Sequence, residues 1–102
     1  MRKAMMGLVR TGKAKVSGSG FTVTWDIDSR DRTAVNRVAF YLFGRTTRDG
    51  AQTRVYLGFV HKEGVRYLGQ STLFVLPHRL HEIRSFLAKV GADNDISPST
   101  YL

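Results

Sequence analysis

Phe21, Val23, Trp25 and Ile27 alternate with Thr22, Thr24, Asp26 and Asp28. A period of two sends successive side chains to opposite faces of an extended chain, so this stretch predicts a β-strand with one apolar and one wetted face. A strand of this kind cannot stand alone, because its backbone donors and acceptors and its apolar face all require neighbours. The rest of the sequence must therefore supply further strands, and something to cover the face that carries Trp25. A preceding strand over about residues 6–16 is one expected neighbour.

The longest candidate partner is a hairpin over residues 34–62, centred on Asp49-Gly50, a dipeptide suited to the positive φ angles of a tight hairpin turn. A two-residue loop there pairs Val38 with His61, Phe40 with Phe59, and Leu42 with Leu57 on a core face. The opposite face then holds Arg37 with Lys62, Ala39 with Val60, Tyr41 with Gly58, Phe43 with Tyr56, and Arg45 with Arg54. Glu63-Gly64 predicts a second turn, leading into a strand over 65–76 that bends or bulges at Gly69-Gln70. Pro77 then opens a helix with an apolar stripe of Leu80, Ile83, Phe86, Leu87 and Val90, and Gly91 ends it. His78, Arg79, His81, Glu82, Arg84 and Lys89 face water. Residues 92–102 contain Pro98 and little periodicity, and read as an irregular tail. The expected class is α+β: a curved antiparallel sheet of four to five strands followed by one C-terminal amphipathic helix. Residues 1–91 form one domain, with 1–20 as a basic, partly extended arm.

Charge carries the functional signal. The 102 residues include 16 Lys and Arg against 8 Asp and Glu, a net charge of +8. Arg2, Lys3, Arg10, Lys13 and Lys15 crowd the first twenty residues, which contain no acid, and the central strands form a second positive region. Such an ensemble predicts a polyanionic partner, nucleic acid above all, although any single basic side chain is as readily a solubilising one. The lack of cysteine excludes disulfides, thiolate zinc sites and cysteine nucleophiles. No apolar run approaches the roughly 18 residues of a membrane span, and Ala4–Val9, broken by Gly7, is too short for a signal-peptide core. The expected setting is the cytoplasm, at a nucleoid or in a nucleus.

On the outer hairpin face, Tyr41, Phe43 and Tyr56 are framed by Arg37, Arg45, Arg54 and Lys62. Exposed rings fringed with cations suit a single strand, whose bases stack while its phosphates meet the cations. A duplex offers no free base faces to such rings. Arg45 opposite Arg54 sharpens the expectation, since like charges opposed across a ladder repel and a bound phosphate relieves them. The same face also suits burial against a second subunit, and both readings stand at this point, with the stacking platform preferred.

Residues 35–90 run strand, turn, strand, turn, strand and Pro-led helix. Within them Gln70-Ser71-Thr72-Leu73-Phe74-Val75-Leu76-Pro77, followed by Leu80, Ile83, Phe86 and Leu87, resembles the end of the repeat in Pur-alpha proteins. It is also similar to the matching part of the transcriptional positive-coactivator and Whirly families. The resemblance covers just over half the chain and rests on pattern. It implies a curved sheet with a packing helix, dimerisation, and single-stranded nucleic acid on the sheet. Arg54–Val60 has a passing likeness to the aromatic strand of an RNA-recognition motif, but that fold needs helices between strands, which this reading of 34–76 lacks.

Enzymatic readings are weaker. Gly7–Ala14 is one residue from a phosphate-binding P-loop, with Ala14 where a magnesium-holding hydroxyl is required. His78 and His81 occupy neighbouring helical turns without a third metal ligand. Asp26, Asp28 and Asp31 invite a divalent cation, yet carboxylates at a strand end are ordinary turn formers. His61 with an arginine would suit a small basic ribonuclease. The sequence thus points to a homodimeric, non-enzymatic single-strand binder, DNA favoured, acting in transcription, replication or repair. It calls for no cofactor, metal, membrane or small-molecule substrate. The alternative is a charge-driven binder of duplex DNA or structured RNA, with the aromatic face buried in a dimer.

Overall fold

The computed structural model describes residues 16–102. The alternating stretch is strand β1, Gly18–Asp26, and it lies inside a four-stranded antiparallel sheet. Val23 pairs with Leu73 of β5 (Thr72–Val75) on one side and with Ile96 of β6 (Asp93–Tyr101) on the other. With β4 (Val65–Gly69) the sheet order is β4-β5-β1-β6. The period of two does its work: Val23 is sealed from solvent and Trp25 is only 8% exposed.

Two helices, α1 (Arg32–Phe43) and α2 (Pro77–Val90), contribute the other half of the core. Val23, Trp25, Leu73 and Val75 of the sheet form one cluster with Val38 and Leu42 of α1 and Ile83 and Leu87 of α2. Helix α2 follows its sequence signals. Pro77 opens it, Leu80, Phe86 and Val90 pack on the cluster, and Gly91 at φ 72° closes it, while the Ala92 amide donates to the Leu87 carbonyl at 3.0 Å. The α+β class and the antiparallel sheet are as expected. The single C-terminal helix is not, since the described residues hold two α-helices and β6 follows the second.

Residues 34–43, expected as the first strand of a hairpin, are helical. Asp31 caps this helix, its carboxylate accepting from the Ala34 amide at 3.1 Å. Val35, Val38, Ala39 and Leu42 recur at three- and four-residue spacing, a stripe that a helix can press against the sheet. From 38 to 43 every position is apolar or aromatic, so a period of two fits as readily as one of 3.6, and packing decides between them.

The hairpin that remains is β2 (Gly44–Asp49) and β3 (Gln52–Leu57), a separate two-stranded sheet. Arg45 opposes Tyr56, and Thr47 opposes Arg54, so the register differs by two residues from the expected Arg45–Arg54 pairing. Gly50, at φ 62°, takes the first central position of the turn, and Asp49 closes the ladder with Gln52. Of the expected core face, Val38, Leu42 and Phe59 are buried, but Phe40 and Leu57 are exposed. His61 ends a 3₁₀ turn, Phe59–His61, instead of pairing with Val38.

Residues 65–76 fold back on themselves as β4 and β5 where one bent strand was expected. Gln70 and Ser71, at φ 48° and 61°, supply the two positive angles of a primed hairpin turn. The expected irregular tail is largely β6, an edge strand, where Pro98 is tolerated because one side needs no ladder donor. The expected strand over about 6–16 lies outside the described residues, apart from Val16.

Candidate nucleic-acid interface

The two-stranded sheet forms an arm with two chemically different faces. Side chains directly opposed on an antiparallel ladder share a face. One face therefore holds Arg45 with Tyr56, Thr47 with Arg54, and Asp49 with Gln52, and the other holds Thr46 with Val55, Arg48 with Thr53, and Leu57 opposite Gly44. Every residue of β3 is exposed, Tyr56 at 49%.

The arm leaves α1 through Gly44, at φ 76°, whose amide donates to the Phe40 carbonyl. A Cβ at this position would collide with the Tyr56 carbonyl oxygen, so the tight crossing between helix and arm requires glycine. The crossing brings Arg45 back over α1, with its guanidinium carbon 5.1 Å from the centre of the Phe40 ring, close enough for a cation–π contact. Phe40 is itself 49% exposed, and Arg37 lies one helical turn before it on the same side of α1. Arg37, Phe40, Arg45, Tyr56 and Arg54 thus make a continuous strip of alternating cations and rings.

No carboxylate forms an ion pair with this strip among the described residues, although Asp49, opposite Gln52, shares the face of Arg45 and Arg54. Ion pairs join Arg30 to Asp28, Lys62 and Arg79 to Glu82, and His78 to Glu63, and none involves Arg37, Arg45, Arg48 or Arg54. Residues 1–15 contain no Asp or Glu that could do so. Guanidinium groups left without carboxylates in solvent keep all five donors for a phosphate.

Three of the seven hairpin residues expected in the site lie elsewhere. Tyr41 is half-buried in the core, stacked on Phe86 with ring centres 3.8 Å apart and against Phe59 at 5.4 Å. Burial, with a smaller contribution from the Glu82 charge, pushes its hydroxyl up to about 12. Phe43 packs edge-on to Tyr67 at 5.1 Å. Both rings are drawn inward because their segment is helical, which makes them unavailable as stacking faces. Lys62 lies beyond the arm, 3.6 Å from the Glu82 carboxylate. Arg37, Arg45, Arg54 and Tyr56 are brought together. The expected Arg2, Lys3, Arg10, Lys13 and Lys15 lie outside the described residues. Sequence reasoning missed Phe40, and the Asp31 cap was the signal that would have turned it outward.

Two of the three carboxylates weighed for a metal, Asp28 and Asp31, are otherwise engaged. Asp31 caps α1, and hydrogen bonds from the Arg30 side chain and amide hold the Asp28 carboxyl below the usual range. Among the described residues no group of three His, Asp or Glu side chains could hold a metal ion. His78 meets Glu63 at 2.9 Å, and His61 Nε2 is buried without a hydrogen-bond partner. No described helix is long and apolar enough to cross a membrane. In comparisons with known proteins, no family model, no curated protein and no solved structure matches the chain.

Proposed function

We propose that this chain is a non-enzymatic nucleic-acid-binding protein that holds a single strand along the strip from Arg37 to Arg54. The observation that carries the reading is the alternation of exposed rings, Phe40 and Tyr56, with arginines that no carboxylate engages. Bases stack on the rings for roughly 1–3 kcal/mol each, and guanidinium groups take the phosphates between them. The basic residues before position 16 add charge-driven affinity without sequence choice.

A second reading draws on the withdrawal of Tyr41 and Phe43 into the core. With fewer rings exposed than expected, the arm also suits a duplex, because a two-stranded ribbon fits the major groove. The expected homodimer has its best-placed surface on the other arm face, where Val55 and Leu57 are 63% and 70% exposed. A lone hairpin in water is marginal, and a second copy would cover these side chains.

Fluorescence anisotropy with labelled single-stranded DNA, single-stranded RNA and duplex DNA, at low and moderate salt, separates these readings. Preference for single strands that persists at moderate salt is the expected result. Equal, steeply salt-dependent binding to all three would mean that charge alone acts.

A further inference from the structure

Among the described residues, one strand edge lacks the usual protection. An open edge presents unpaired N–H and C=O groups, and proteins blunt such edges with proline, charge, bulges or short length. Strand β6 carries Pro98, Asp93 and Asp95, and β4 is five residues long with a register shift between Tyr67 and Gly69. Strand β2 runs back over α1, where Arg45 covers Phe40. Strand β3 has none of these devices. Gln52–Leu57 holds no proline, no lysine and a single charge, Arg54, and every residue is exposed. Thr53, Val55 and Tyr56 are strong strand formers as well.

The hairpin fixes which backbone groups point outward. Its two-residue turn is closed by a hydrogen-bonded pair, Asp49 with Gln52, and such pairs alternate along an antiparallel ladder. Gln52, Arg54 and Tyr56 therefore turn their backbone groups to β2, and Thr53, Val55 and Leu57 turn theirs to the open edge. A second β3, related by a two-fold axis at Val55, meets all three positions. Val55 pairs with the partner's Val55, and Thr53 with the partner's Leu57. Arg54 then faces the partner's Tyr56, and Tyr56 faces the partner's Arg54, in the non-hydrogen-bonded pairs where side chains approach most closely. An axis at Arg54 would oppose two arginines, and an axis at Tyr56 would leave Thr53 without a counterpart. A cation beside a ring in both directions makes this edge complementary to itself, as an isologous contact requires. On the reverse face Val55 meets the partner's Val55 with Leu57 diagonal to it, which covers the most exposed apolar groups of the arm.

We propose that two copies of this chain join β3 to β3, antiparallel about Val55, and that the four-stranded ribbon so formed carries the nucleic-acid strip across both. The inference rests on the nucleic-acid reading of the arm and names the partner that completes the site. Within one copy the exposed rings of the strip are Phe40 and Tyr56. In the pair, Arg45 and Tyr56 run directly into the partner's Arg54, and the axis supplies the same row in reverse. A contact one strand wide falls short of the roughly 1,200 Å² of a stable interface, so the free protein pairs weakly. Two basic arms side by side also repel. A strand of nucleic acid lying across both relieves that repulsion and consolidates the dimer.

The chain has no cysteine, so an introduced thiol reports on one contact. Opposed residues of a hydrogen-bonded pair lie about 5.5 Å apart between Cα atoms, within disulfide reach. In a glutathione buffer, full-length Val55→Cys should form a disulfide-linked dimer, faster when oligo(dT) is added. Arg48→Cys, on the same face but on the outer strand, should stay monomeric. Sedimentation at high protein concentration tests the pair without a cross-link. Val55→Lys and Val55→Glu should each lose the dimer that wild type forms, and an equimolar mixture of the two should regain it. Val55 is 63% exposed, so all three changes should leave the melting temperature near that of wild type. A linked dimer from Val55→Cys, in a protein that binds no oligonucleotide by anisotropy, would sink the arm reading and leave the pairing standing. Oligonucleotide binding with Val55→Cys linking no faster than Arg48→Cys, or no regain of dimer in the mixture, would overturn the pairing and leave the arm reading standing.

Discussion

Tyr41 carries an arginine-flanked, strand-like sequence context, yet it serves as a core residue. Its ring fills the space between Phe86 and Phe59, and its hydroxyl ionises near 12 rather than 10.0 because burial disfavours the phenolate. Between those values the unfolded chain releases a proton that the folded chain keeps. Stability should therefore be whole below pH 10 and fall as pH rises toward 12. Thermal melts across that range, compared with Tyr41→Phe, check this: the wild type should lose stability more steeply, and parallel curves would argue against the burial. Tyr56 is the contrasting case. Its ring is half-exposed on the arm, so Tyr56→Ala should leave the melting temperature nearly unchanged. The same change should weaken single-strand binding by about 1–3 kcal/mol and duplex binding far less. Equal losses on both ligands would count against stacking. The sequence distinguished these two tyrosines poorly, because each stands in an aromatic, arginine-flanked run and only the helix around Tyr41 separates their fates.

At the scale of elements, the arm shows why a wrong register left part of the site legible. The turn centre was displaced by one residue on the chain, which shifts the pairing by two. A shift of two keeps every side chain on its face, so Arg45, Arg54 and Tyr56 still share one surface. Helix α1 was missed for a different reason. A segment apolar at nearly every position has no readable period, and its Asp31 cap was taken for turn material. The β4–β5 turn was hidden because Gln70 and Ser71 are poor residues for positive φ, where Asn-Gly would have announced it. That strain makes a prediction: Ser71→Gly should stabilise the fold by about 1 kcal/mol in chemical denaturation, since glycine meets the left-handed angle without a Cβ penalty. The Trp25 amide keeps its 3.1 Å bond to the backbone carbonyl at 71 in this variant. An unchanged or lowered midpoint would mean that the turn is not held at positive φ.

For the whole molecule, the α+β class was legible because Phe21–Asp28 and Pro77–Gly91 carry unambiguous periods and end signals, and both lie at the centre of the packing. Strand β6 was not, because an edge strand needs little apolar patterning: of Asp93–Tyr101 only Ile96 packs on the core cluster. The charge distribution reaches the same scale. The described residues keep 11 basic against 8 acidic side chains, and much of their unpaired excess stands on α1 and the arm. Replacing Arg37, Arg45 and Arg54 together by glutamine should reduce the salt slope of single-strand binding by about 2, near 0.7 for each phosphate no longer neutralised. An unchanged slope would assign the phosphates to other residues.

The most direct measurement is a nuclear magnetic resonance titration of the isotope-labelled protein with a short single strand, following backbone amides residue by residue. The shifts should concentrate on Arg37, Phe40, Arg45 and the stretch from Arg54 to Leu57, with α2 and β6 nearly still. Shifts centred on α2 or β6, with the arm unmoved at saturation, would contradict the assignment of the strand to the arm.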